Sequence, residues 1–215
     1  MKVFDDYAFK YDEWYEKPFG KSAYSLELEC LKNLHIQVDS SLEIGVGSGR
    51  FASMLGIKYG VDTSKRLLKI ALTRGVRSIV AKAESLPFKD MVFDEALIVV
   101  SLCFFEDPTA SLREAHRILK DRGILLLGLV LSESPWADFY KEKAKKGHPI
   151  YTHAKFYSYP QLITMLKSVG FKLDRIYTTL FEDPQDEKPI ENRKILDGFH
   201  PKGGFFCVRA LKLSL

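Results

Sequence analysis

Seven short apolar runs, at residues 41–44, 58–61, 78–81, 93–100, 124–130, 172–181 and 204–212, are separated by amphipathic stretches. Strands alternating with helices build a parallel sheet covered on both faces. The run Ala96-Leu97-Ile98-Val99-Val100 has no polar alternation, which marks a strand buried on both sides. Residues 182–201 are polar and turn-rich with no helical period, so the last two strands should pair as an antiparallel hairpin rather than through another crossover. The expected architecture is therefore α/β: a doubly wound mixed sheet of seven strands, the last antiparallel, with helices on both faces.

Helix signals fill the gaps. Leu67, Leu68, Ala71 and Leu72 share one face of residues 64–73, with Ser64 placed to cap and Gly75 to stop the helix. Pro108 opens a second helix and Pro160 a third, while residues 131–158 carry little clean periodicity apart from a short helix over 136–146. The turn Asp121-Arg122-Gly123 is expected to precede the fifth strand.

Composition narrows the function classes. A chain of 215 residues, 46% hydrophobic, can bury a core without disulfides or metal. Cys30, Cys103 and Cys207 are odd in number and widely spaced, which points to a reducing compartment and no structural zinc. No apolar leader opens the chain, and its longest low-polarity runs are about half of the roughly 20 residues that a membrane helix needs. A soluble, cytoplasmic protein without a membrane partner is expected. The net charge of +4 is small, and the basic cluster Lys141, Lys143, Lys145 and Lys146, broken by Glu142, reads as a solvated helix face.

The informative stretch is Glu43-Ile44-Gly45-Val46-Gly47-Ser48-Gly49-Arg50, between a strand and a helix. Glycines there allow positive φ and close approach of a ligand to the backbone, and the helix start that follows favours a negative group. Packing alone could also require them. The spacing differs from the dinucleotide fingerprint, whose third glycine falls where this chain has Arg50, and that disfavours a nicotinamide-dependent oxidoreductase. Asp62 ends the second strand, where a carboxylate can accept from both hydroxyls of a ribose. As a helix-start acid, it could equally serve the dipole of the helix after Ser64.

Glu43-x-Gly45-x-Gly47-x-Gly49 followed by Asp62 resembles the cofactor half of a class I S-adenosylmethionine-dependent methyltransferase, whose fold is Rossmann-like. The similarity continues through Ala83-Glu84-Ser85-Leu86-Pro87-Phe88, Phe93-Asp94, Arg117-Ile118-Leu119-Lys120 with Gly123, and Phe156-Tyr157-Ser158. Phe4-Asp5, Ala8 and Tyr11-Asp12 resemble the family's amino-terminal cap, and the small-molecule subgroup that includes the quinone-biosynthesis enzymes is the nearest in pattern. The resemblance implies one domain: a cap over 1–35, a cofactor-binding half over 41–130, an insertion over 131–158 covering the substrate pocket, and a helix with a strand hairpin over 159–215.

It also implies site roles. S-adenosylmethionine would lie with its methionine and ribose portions against Gly45 and Gly47, Glu43 near the ammonium, Asp62 on the ribose and Thr63 beside the adenine. Gly49 belongs to the same turn. Ala83 and Glu84 would read the adenine edge, and Ser101 and Leu102 would meet the methionine end. Two departures stand out. Lys82 replaces an acceptor for the adenine amino group, and Cys103-Phe104 replaces a pair of histidines, which leaves a more apolar pocket mouth.

Methyl transfer from a sulfonium needs alignment and exclusion of water, and a base only for some acceptors. No residue is assigned as catalytic. His148 and His153 are the candidate bases, while His35 and His116 lie outside the expected site, and no metal-ligand spacing is present. Aromatics concentrate in the cap and the insertion; Tyr11, Trp14, Trp136 and Tyr140, with His153, are the candidate substrate contacts, although aromatic side chains there can instead anchor the cap. The expected partner is a small-molecule methyl acceptor. Nucleic acid is disfavoured by the missing nucleobase motif after the fourth strand and the absence of a wide basic stripe. An RNA methyltransferase and a catalytically silent cofactor-binding module remain the alternatives, and monomer and dimer both stay open.

Overall fold

The computed structural model describes residues 2–185 and 187–213, without the side chains of Lys2 and Tyr11. One sheet runs in the order β3-β2-β1-β4-β5-β8-β6-β7. Its strands are β1 (Ser41–Ile44), β2 (Tyr59–Asp62), β3 (Arg77–Val80), β4 (Phe93–Val99), β5 (Leu119–Leu129), β6 (Phe171–Thr179), β7 (Leu196–Asp197) and β8 (Phe205–Lys212). β1 to β5 are mutually parallel, and β8 lies antiparallel between β5 and β6, the hairpin partner expected of the last strand. The two-residue β7 extends the sheet to eight strands and lies within the segment read as loop. Two residues are too few to carry a period.

The strands sort their side chains by the pleat. On β4, Ala96 and Ile98 face one core while Leu97 and Val99 face the other; β5 splits Leu125 and Leu127 from Leu126 in the same way. Helices α6 (Pro108–Ile118) and α8 (Tyr159–Ser168) cover the first face. On the second lie α3 (Pro18–Lys32), α4 (Arg50–Leu55), α5 (Lys65–Thr73) and α7 (Pro135–Lys145). Two short helices, α1 (Lys2–Asp6) and α2 (Ala8–Trp14), precede α3.

Local chemistry sets the boundaries. Ser64 caps α5, accepting from the Leu67 amide at 3.2 Å, and Gly75 at φ +81° ends it. Ser158 and Gln161 form a reciprocal capping box ahead of α8. The turn expected at residues 121–123 is instead an irregularity inside β5, with Arg122 at φ +60° and a shift of register between Phe93 and Glu95 on β4. No helix among the described residues is long and apolar enough to cross a membrane.

Candidate functional site

The carboxyl ends of β1, β2 and β4 open on a cavity of about 120 Å³. Gly45 and Gly47, at φ +76° and +52°, form its floor. A Cβ on Gly45 would lie 2.6 Å from the Ser101 side chain, so only glycine fits. At Gly47 the nearest atom would be Leu67 Cδ1 at 3.9 Å, which leaves the backbone bare toward the cavity. Gly49 serves a different purpose: its φ of +76° starts α4, and a Cβ would press on Ala71 and Val76 at 3.0–3.2 Å. It packs α4 against α5 and does not line this cavity.

Asp62 uses both carboxylate oxygens on this frame. Oδ2 accepts from the Gly47 amide at 2.9 Å and Oδ1 from the Ser64 amide at 2.8 Å. Burial raises its carboxyl above the ordinary value, against the pull of those amides. Thr63, Ala83, Glu84 and Ser101 also line this cavity. Glu84 Oε1 accepts from the Asp107 amide at 3.2 Å, and Lys82, on the same rim, pairs with Glu106 at 2.9 Å.

Glu43 stands beneath the turn, 1% exposed, with its Oε2 lacking any partner. Burial pushes its carboxyl up to about 8, with the Ala52 amide acting against the shift. It does not line the cavity surface.

A second, larger cavity of about 490 Å³ adjoins the first across Val100 and Phe104, which line both. Val100 holds φ +44°, a conformation costly for a β-branched residue, and its amide is tied to the Gly128 carbonyl at 2.8 Å. Leu102 lines this larger cavity rather than the smaller one. Trp14 and Tyr140 face it as well. One wall is a stack: Tyr140 lies over Tyr151 at 4.4 Å and 25°, and against Phe156 at 6.2 Å and 13°.

Two expected substrate contacts lie elsewhere. Trp136 is core: 1% exposed, stacked on Phe19 at 5.5 Å, its Nε1 donating to the Glu182 carbonyl at 2.9 Å and its ring filling the space over Gly204. His153 is exposed at the end of a short turn, whereas His148 lines the cavity and accepts from the Ile150 amide through Nδ1 at 3.3 Å. The Tyr11 side chain lies outside the described residues. His35 is bound in the fold, 2.6 Å from Glu95 and 3.0 Å from the Leu55 carbonyl, and burial lowers the titration of His116 beside Phe171. Among the described residues no cluster of His, Cys, Asp and Glu could hold a metal ion.

The cap is fastened to the turn by charge. Asp5 Oδ1 accepts from Ser64 Oγ at 2.7 Å and the Arg66 amide at 3.0 Å, and Asp12 receives Ser48, Arg50 and Arg74. Phe4 lines the smaller cavity and meets Phe104 edge-on at 5.0 Å. Glu27, unflagged by the sequence pattern, also lines the larger cavity.

Residues 42–127 match a family model described as a methyltransferase domain. A crystal structure from Thermotoga maritima, described as an S-adenosylmethionine-dependent methyltransferase and possible histamine N-methyltransferase, is 37% identical over 98% of both chains, with a TM-score of 0.89. An uncharacterized protein of Methanocaldococcus jannaschii is 41% identical over 99% of this chain and the whole of its own length. A demethylmenaquinone methyltransferase of Thermotoga maritima is 31% identical over 59% of each chain.

Proposed function

Because the chain belongs to the class I S-adenosylmethionine-dependent methyltransferases, we propose that it moves a methyl group onto an N, O or C nucleophile of a small organic molecule held in its aromatic cavity. The observation that carries this reading is the sharing of Val100 and Phe104 by two cavities of different character, one floored by bare glycine backbone and one walled by aromatic rings.

The cradle suits the cofactor. Backbone at Gly47 is open to the cavity, Glu43 keeps an unpartnered oxygen below the turn, and Asp62 offers a carboxylate at the rim. S-adenosylmethionine, when bound, supplies an electrophilic methyl group together with its leaving group. Gly45, Gly47 and Ser101 would border its methionine portion, Asp62 and Thr63 its ribose, and Ala83 and Glu84 its adenine. Glu43 and Gly49 act from beneath, as a buried carboxyl and a packing element. Leu102 faces the acceptor side with Trp14 and Tyr140, which orient a flat molecule and exclude water from the reacting centres. His148, which lines the cavity, is one base available to acceptors that must lose a proton.

Lys141 and Lys145 pair with Asp138 and Glu142, which weakens the case for an RNA-binding face. Calorimetry with S-adenosylhomocysteine, followed by a screen for transfer of labelled methyl to small nucleophiles and to bulk RNA, tests the reading. We expect binding and transfer to a small molecule. Absence of binding, or transfer to RNA alone, would overturn it, and binding without any transfer would favour the silent module.

A further inference from the structure

Helix α3 carries one side chain that its packing does not explain. Its inward stripe runs Ala23, Leu26, Glu27, Cys30 and Leu31, all buried, and Glu27 is the carboxylate among them, 5% exposed. Desolvating a carboxylate alone costs several kcal/mol, so buried ones are ordinarily paired or hydrogen-bonded. Glu27 has neither kind of partner among the described residues, and burial alone pushes its carboxyl up to about 8. It faces the larger cavity.

The rest of that cavity is aromatic. Trp14 and Tyr15 approach from the cap, and the Tyr151, Tyr140 and Phe156 stack from the segment after β5. Four lysines also line it, but at half-buried or exposed positions, with Lys10 over the Tyr7 ring at 5.7 Å and Lys143 over Phe139 at 4.3 Å. Among the buried lining residues described, Glu27 is the single charged one.

We propose that the methyl acceptor is an amine that enters the aromatic cavity as a cation, with Glu27 as its counter-ion once the incoming charge has driven the Glu27 proton out to solvent. The inference rests on the methyltransferase reading above and narrows it. Aromatic faces attract an ammonium by about 0.5–2 kcal/mol, and a charge-assisted hydrogen bond to a carboxylate adds about 1.5–3 kcal/mol. A neutral alcohol leaves Glu27 protonated and gains only an ordinary hydrogen bond of about 0.5–1.5 kcal/mol with no attraction to the ring faces, and an anion is repelled by those faces. An ammonium has no lone pair with which to accept a methyl group, so one N–H bond must break first. Its proton passes to a Glu27 oxygen, its electron pair stays on nitrogen, and the carboxyl becomes neutral, the form that burial favours.

Calorimetry with S-adenosylhomocysteine present compares three probes of similar shape and different charge: phenethylamine, 2-phenylethanol and 3-phenylpropionate. We expect wild-type protein to bind the amine at least about tenfold more tightly than the alcohol, and Glu27→Gln to erase that preference while its affinity for the alcohol and for S-adenosylhomocysteine stays within about threefold. Glu27→Met, apolar and of similar length, repeats the comparison in case the amide is poorly accommodated. An amine bound no better than the alcohol, the carboxylate bound most tightly, or a preference that survives both substitutions would overturn the proposal. Failure of wild-type protein to bind S-adenosylhomocysteine is a separate result, which removes the methyltransferase reading itself.

Discussion

Arg50 and Asp12 meet as a two-pronged ion pair, Nε to Oδ1 at 2.7 Å and Nη2 to Oδ2 at 2.9 Å, which joins the first residue of α4 to the cap helix α2. Arg74 grips the same carboxylate from the end of α5, also through two bonds. Asp12→Ala should therefore loosen α1 and α2, at a cost of about 1.5–3 kcal/mol. Limited proteolysis should cut within the first 17 residues sooner than in wild type, and the melting temperature should fall. Glu16→Ala, which removes a partner that is 66% exposed, should cost less than about 1 kcal/mol and leave the cleavage pattern alone.

Stability should fall on both sides of a maximum near pH 5. Burial raises the Asp12 carboxyl, but hydrogen bonds from Arg74, Arg50 and Ser48 outweigh it and hold the group well below the carboxylate range. Its contribution is complete above the unfolded value near 4 and is lost as pH drops toward the folded one. Glu27 and Glu43 act in the opposite sense. Burial pushes both up to about 8, so the folded chain keeps protons that the unfolded chain releases, and stability declines as pH rises from about 4.5 to about 8. Melting temperatures measured from pH 3 to pH 9 should show the maximum, and Glu27→Gln should flatten the upper limb. An unchanged slope in that variant would remove Glu27 from this account.

Asp62→Ala should weaken S-adenosylhomocysteine at least about tenfold, since a hydrogen bond to a charged group is worth about 1.5–3 kcal/mol and a ribose offers two. Some stability should go with it, because the Gly47 and Ser64 amides lose their acceptor. Calorimetry and urea denaturation on the same variant separate the two effects. Undiminished affinity would argue that Asp62 serves the turn alone.

Trp136 and Tyr140 should respond in different assays although they lie four residues apart on α7. Trp136→Ala removes a buried ring and should cost about 3–5 kcal/mol in urea denaturation. Tyr140→Ala opens the aromatic wall and should raise KM for the methyl acceptor with a smaller loss of stability. Equal behaviour of the two variants in both assays would contradict the placement of one ring in the core and the other in the cavity.

That pair also marks where the sequence stops being informative. The glycine turn was legible because Gly45 and Gly47 adopt a backbone that few other residues tolerate, and Ser64 because a hydroxyl before an apolar period is what a helix start requires. Residues four apart on one helix share a face, so spacing alone cannot say which of Trp136 and Tyr140 meets the core and which the cavity. Docking of α7 on Phe19 and Gly204 decides it. His148 and His153 differ by a turn whose path no local pattern sets. Glu27 did leave a signal: Ala23, Cys30 and Leu31 place position 27 on the apolar face of α3, where a carboxylate is out of character.

The cap is fastened through Ser48, Ser64 and Arg50, which flank the glycine turn and Asp62. Any ligand that favours the turn as it stands with α1 and α2 docked must, by thermodynamic linkage, be favoured by that docking through the same factor. Residues 2–14 thus share in the affinity of a site whose floor lies some thirty residues further along the chain. Truncating them would change how tightly the cofactor is held even where they make no contact with it.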